Sequence, residues 1–127
     1  MSTGAVGSRH AGRWTPFRYE LRCWRDGVIP DLVEAVESPR RVSDDDELAR
    51  RVLDLAPSVP APVWGRDELG TGEMWNSNSA IAWLLTTAGV DVDAIHPPTG
   101  GRAPGWDAGI AVARRTLVSA ADGRADA

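Results

Sequence analysis

The chain has 127 residues, 43% hydrophobic and 25% charged, with a formal net charge of −4, which fits one globular domain with a modest core. All 14 basic residues are arginine, so a Gly-Lys-Ser/Thr phosphate loop, a lysine Schiff base and a Ser-Lys dyad are excluded. Cys23 is the single cysteine, so no internal disulfide can form.

No apolar run approaches transmembrane length and no secretory signal opens the chain. The expectation is a soluble, cytoplasmic protein. Charge is uneven: residues 1–25 carry Arg9, Arg13, Arg18, Arg22 and Arg25 against Glu20 alone, whereas residues 26–73 carry 12 acids and 5 arginines. A basic head can serve a nucleic acid or an acidic partner. With an acidic total and no binding motif, the simpler expectation is a solvated segment, with neither nucleic acid nor membrane as a partner.

Residues 1–13 and 119–127 are rich in small and polar residues. They are expected to be disordered tails around a single domain spanning 14–118. Along residues 17–24, Phe17, Tyr19, Leu21 and Cys23 alternate with Arg18, Glu20, Arg22 and Trp24. Such alternation predicts a strand, ended by Asp26-Gly27 and Pro30. Ser43 is placed to cap a helix over residues 44–55, with Asp44, Asp45 and Asp46 in its first turn. Leu48, Val52 and Leu55 recur there at helical spacing, and Pro57 stops it. Residues 57–73, with three prolines and three glycines, predict a long surface loop pinned by Val59, Val63, Trp64 and Leu69.

A second helix is expected over residues 77–88, with Gly89 as its stop and Ile81, Leu84, Leu85 and Ala88 as its buried stripe. Trp83 falls on another face, so burial on more than one side is expected. Residues 106–117 fit both strand and helix. Gly109 weakens the helical reading and favours a strand.

The stretch Met74-Trp75-Asn76-Ser77-Asn78-Ser79 opens the second helix with four small polar residues. A helix start has unpaired N–H groups and a positive dipole end, so it can stabilise an oxyanion or an ionised nucleophile. Ser and Asn are equally the preferred caps of any helix. Both readings are open at this point. Asp91, Asp93 and His96 lie close enough to chelate a cation but lack a further ligand, so no metal or cofactor is expected. Gly100-Gly101-Arg102 could meet an anion through backbone N–H groups and a guanidinium, or be a plain turn.

Asn76-Ser77-Asn78-Ser79 before an apolar helix resembles the nucleophile segment of circularly permuted NlpC-type papain-like proteins, a group that includes lecithin-retinol-acyltransferase-like domains. That segment commonly reads Asn-Cys or Asn-Cys-Asn-Ser, with Asn-Ser-Asn-Thr-like versions in a bacterial branch. Pro97-Pro98 and Gly105-Trp106 follow here in the same order as in those relatives. The resemblance implies an α+β fold, in which a small antiparallel sheet packs on the central helix at about 77–88, beside the second helix at about 44–55. It also implies covalent acyl chemistry in active relatives, with Ser77 standing where they carry cysteine.

That substitution removes a readily ionised thiol and leaves a hydroxyl wholly dependent on a base. His10 lies in the polar head, and His96 follows Ser77 by 19 residues on a loop. The chain is also short for this fold and reads as a truncated or minimal version.

Three functional expectations follow. The first is a catalytically degenerate papain-like domain that binds a small molecule or a protein through Trp75, Asn76, Asn78, Ser79, Arg102 and Trp106. The second is an active amide or ester hydrolase or acyltransferase, with Ser77 as nucleophile, His96 as base and Asp91 or Asp93 orienting it. The third is an assembly domain anchored by some of the six tryptophans.

Overall fold

The computed structural model describes residues 2–3, 21–22, 26–28, 32–35 and 37–125. Three helices make up its body: α1 (Asp46–Leu55), α2 (Ser77–Ala88) and α3 (Trp106–Ala125). Short 3-10 turns at Leu32–Glu34, Ala56–Ser58 and Val92–Ala94 punctuate the connections. Extended pairing among the described residues is confined to two-residue strands, β1 (Ser2–Thr3) and β2 (Leu21–Arg22). They run antiparallel, with Ser2 opposite Arg22 and Thr3 opposite Leu21.

The expected α+β fold is therefore corrected. The body is helical, and no sheet packs on the central helix among the described residues. The strand expected over 17–24 lies, apart from Leu21 and Arg22, outside the described residues. The strand favoured for 106–117 is instead the first half of a 20-residue helix. That helix also runs to Ala125 through most of the segment expected to be a C-terminal tail, with exposed residues throughout 119–125.

α1 forms where an acidic start meets a helical apolar stripe. Its cap is Asp45 rather than Ser43: the Asp45 carboxylate accepts from the N–H groups of Glu47 at 2.8 Å and Leu48 at 3.3 Å. Ser43 Oγ sits one step earlier and accepts from the Asp45 N–H at 3.0 Å. Asp46 and Glu47 then occupy the first turn, where the positive end of the dipole favours acids. The helix docks on the end of α2, where Arg51 Nη1 donates to the Ala88 carbonyl at 2.8 Å. A cationic group on the last carbonyls of a helix is favourable for the same reason.

α2 runs from Ser77 to Ala88 and ends on Gly89 at φ 94°, a left-handed turn that suits glycine. Its buried side differs from the expected stripe. Ile81 is 39% exposed and Leu85 only half-buried, while Ser79, Ala80, Ala82, Trp83, Leu84 and Ala88 are buried. Two helices and a loop surround α2, so burial is set by neighbours on several sides rather than by one apolar face.

The loop expected over 57–73 is pinned as its residues foretell, with Val59 buried and Val63, Trp64 and Leu69 half-buried. Gly65 N–H donates to the Trp75 carbonyl at 2.8 Å and Trp75 N–H to the Arg66 carbonyl at 3.0 Å, closing the loop at its base. Arg115 of α3 reaches back to the Leu69 and Gly70 carbonyls at 2.7 and 2.9 Å. Within the loop the Asp67 carboxylate accepts from the N–H groups of Thr71 and Gly72 at 2.7 and 2.8 Å.

The main core joins Trp75, Ala80, Trp83 and Leu84 to Ala56, Val59 and Ala113. A smaller one joins Ala82, Val92 and Ile110, with Leu85, Val90 and Trp106 packed against it. The indole N–H groups of Trp75 and Trp83 are buried without a hydrogen-bond partner. Each such orphan costs about 1–3 kcal/mol, offset by the large apolar area of each ring.

Gly109 explains how α3 comes so close. A Cβ there would overlap the Ser79 carbonyl oxygen and lie 2.8 Å from Ala82 Cβ. Gly105, Gly109 and Ala113, four residues apart, give α3 a smooth edge along which the α2 backbone can lie. No helix among the described residues is long and apolar enough to cross a membrane.

Two outcomes are expected. Gly109→Ala should lower stability by about 2–3 kcal/mol in urea or thermal unfolding, because the obstructing atom is backbone and the helices must part. The backbone N–H groups of Thr71 and Gly72, chiefly, hold the Asp67 carboxyl below its ordinary 3.8. A carboxylate whose pKa is depressed in the folded chain supports it above the unfolded value and loses that support as pH falls through the folded one. Amide exchange at Thr71 and Gly72 should therefore accelerate, beyond its intrinsic change, only below about pH 4, and Asp67→Asn should remove that step.

Candidate functional site

The polar start of α2 is a closed hydrogen-bond network. Asn76 is the cap: its Oδ1 accepts from the N–H groups of Asn78 at 2.9 Å and Ser79 at 3.2 Å. Ser79 Oγ in turn accepts from the Asn76 N–H at 3.0 Å, completing a capping box. The Ala80 N–H is taken by the Asn76 carbonyl at 3.0 Å.

The same side chains also fasten the loop that leads into α3. Asn76 Nδ2 and Asn78 Nδ2 both donate to the Pro104 carbonyl, at 2.8 and 3.0 Å. The buried Ser79 hydroxyl donates to the Gly105 carbonyl at 2.6 Å. Gly105 has φ 83°, and a Cβ there would lie 2.6 Å from Ser79 Oγ and 2.7 Å from Asn76 Oδ1. Only glycine lets the chain turn this close to the cap.

The expected binding residues Trp75, Asn76, Asn78, Ser79 and Trp106 thus do meet in space, but largely as a structural joint. Trp75 is 2% exposed and belongs to the core. Trp106 begins α3, half-buried against Ile110 and Val92. Arg102 is exposed on the connecting loop, where Gly101 N–H closes a tight turn onto the Pro98 carbonyl at 2.7 Å.

Ser77 is different. It is exposed at the first position of α2. Yet the next three amides, those of Asn78, Ser79 and Ala80, are all engaged by Asn76. An oxyanion site needs such donors aimed at the reacting atom and otherwise free.

His96 lies elsewhere. It lines a hollow of about 390 Å³ with Arg40, Arg41, Val90 and Asp91. Val90 follows the C-terminal end of α2, its N–H bonded to the Leu85 carbonyl at 3.0 Å. Ser77 opens the other end of that 12-residue helix, which rises about 18 Å at 1.5 Å per residue. A base must come within about 3 Å of the proton it takes, or one water away.

The remaining candidates are also accounted for. Asp93 pairs with Arg114 at 3.1 Å, and no group of three or more metal-binding side chains occurs among the described residues. Of the described tryptophans, Trp75 and Trp83 are buried and Trp64 and Trp106 half-buried, so none of these stands out as an exposed interface anchor.

What sequence reasoning missed is an open groove of about 370 Å³ along α1. Leu48, Val52 and Leu53 line it from the helix, with Val42, Leu85 and Val90 opposite. Leu53 is 72% exposed. The signal was present in the α1 stripe, which has Leu53 beside Leu48 and Val52. Its meaning depended on how much of α1 its neighbours cover.

In comparisons with known proteins, no family model, no curated protein and no solved structure matches this chain.

The network makes separable demands on its two serines. Ser79→Ala should cost about 1–3 kcal/mol, because the Gly105 carbonyl and the Asn76 N–H lose a buried partner. Ser77→Ala, at an exposed position, should stay within about 0.5 kcal/mol of the parent chain. Urea unfolding of both variants checks the contrast.

Proposed function

We propose that this protein is a non-catalytic binding domain. The observation that carries the reading is the engagement of the α2 amides: Asn76 takes the N–H groups of Asn78, Ser79 and Ala80, the three that follow Ser77 and that an acyl intermediate there could otherwise draw on. The position of His96 beyond the other end of α2 supports it. On this reading the likeness of residues 76–79 to a papain-like nucleophile segment reflects a helix start put to use as a latch. Asn76, Asn78 and Ser79 hold loop 104–105 so that α3 can lie against α2.

Recognition then falls to the groove along α1, where apolar side chains remain open beside charged ones. Exposed apolar surface of this kind, rimmed by polar residues, is characteristic of contact sites.

The test is a serine-directed phosphonylating probe applied to the folded chain, read by intact mass. No adduct at Ser77 is expected over several hours. Stoichiometric labelling that disappears in Ser77→Ala would overturn the proposal and restore the hydrolase reading.

A further inference from the structure

The hollow that holds His96 carries charges of both signs beside an apolar wall. Val42, Val90, Ala94 and Ile95 make the wall, and the volume of about 390 Å³ falls within the range of small-molecule sites. Arg40 and Arg41 line the hollow from the segment before α1, and Asp91 lines it from the connection after α2. These opposite charges form no ion pair with one another: Arg40 pairs with Glu37 at 3.4 Å and Arg41 with Asp44 at 2.5 Å.

Each of these groups keeps capacity for a further partner. Asp91 stands at the cap position of the 3-10 turn Val92–Ala94, but its carboxylate makes no capping bond. Its neighbour Asp93 is engaged by Arg114 at 3.1 Å, whereas the Asp91 side chain has no partner among the described residues. Arg40 gives one nitrogen, Nη2, to Glu37, and Arg41 gives one, Nη1, to Asp44. A guanidinium has further N–H groups to donate, and exposed pairs such as these two hold their partners weakly.

We infer that the hollow binds a free α-amino acid with an aliphatic side chain, of which leucine is the type. Its carboxylate meets Arg40 and Arg41, its ammonium meets Asp91, and its side chain lies on Val42, Val90 and Ile95. Charges of opposite sign that share a hollow without meeting suit a molecule that carries both. A plain anion would leave Asp91 unmatched, and a plain cation would face two guanidinium groups. The site is separate from the groove along α1, with which it shares the walls Val42 and Val90, and it goes beyond the reading of that groove.

The test is a titration of the full chain followed by amide chemical shifts. L-leucine should give saturable shifts centred on residues 40–42 and 90–96. Two analogues each lack one charge: 4-methylpentanoate has no ammonium and leucinamide no carboxylate. Each should bind at least about threefold more weakly than leucine, the scale set by charges exposed to water. Asp91→Asn should weaken leucine by a similar factor without weakening 4-methylpentanoate. Arg40→Gln combined with Arg41→Gln should weaken both of these without weakening leucinamide. All three positions are exposed, so the variants should unfold at the urea midpoint of the parent chain.

Absence of saturable shifts with millimolar leucine overturns the inference. So does an analogue that binds within that margin of leucine, which would make the hollow a simple anion or cation site, and so does either variant that binds leucine like the parent chain. None of these outcomes bears on labelling at Ser77, so the non-catalytic reading stands or falls separately.

Discussion

The hydrogen bond from the buried Ser79 hydroxyl to the Gly105 carbonyl, at 2.6 Å, is the contact around which the helical body is arranged. It ties the first turn of α2 to the residue just before α3. It sits where two glycines leave no side chain in the way: Gly105 over the cap and Gly109 over the Ser79 carbonyl. A polar joint and a steric allowance act together here. Without the glycines the helices could not approach, and without the side-chain donors the carbonyls of Pro104 and Gly105 would be desolvated with fewer partners.

That joint also sets the direction in which the polar groups of the helix start point. Polar groups at a helix start can be aimed outward, at a substrate, or inward, at the rest of the fold. In this chain they are aimed inward. Asn76 binds two amides through its side chain and a third through its carbonyl, and Asn78 directs its amide group to Pro104. Ser77 is left at the surface, with His96 beyond the far end of the helix. The asymmetry between Ser77 and Ser79, two residues apart, follows from helix geometry: about 200° of rotation separates them, so one faces α3 and the other solvent.

The opposite end of the molecule behaves differently. α1 is amphipathic, yet the body covers its stripe only in part, with Val52 and Leu55 reaching the main core and Leu53 left open. The two features thus sit at separate ends of α2: the latch at its start, the groove beside its finish.

Local chemistry was legible without a structure wherever a residue acts on its immediate neighbours. The span of α2, its Asn/Ser cap, its Gly89 stop and the anchoring of the 57–73 loop by Val59, Val63, Trp64 and Leu69 all follow from turn geometry and short-range hydrogen bonds. Residues 106–117 did not yield to the same reasoning. Gly109 lowers intrinsic helix propensity by about 1 kcal/mol relative to alanine, and the alternation of Trp106, Ala108, Ile110 and Val112 imitates a strand. What makes the segment helical is the α2 backbone lying against Gly105, Gly109 and Ala113, a contact between segments far apart in the chain. The direction in which Asn76, Asn78 and Ser79 point, the distance that separates Ser77 from His96, and the part of α1 that stays uncovered belong to the same class. Each depends on which surface a distant segment comes to occupy, and that is determined by packing in three dimensions, not by any local pattern in the chain.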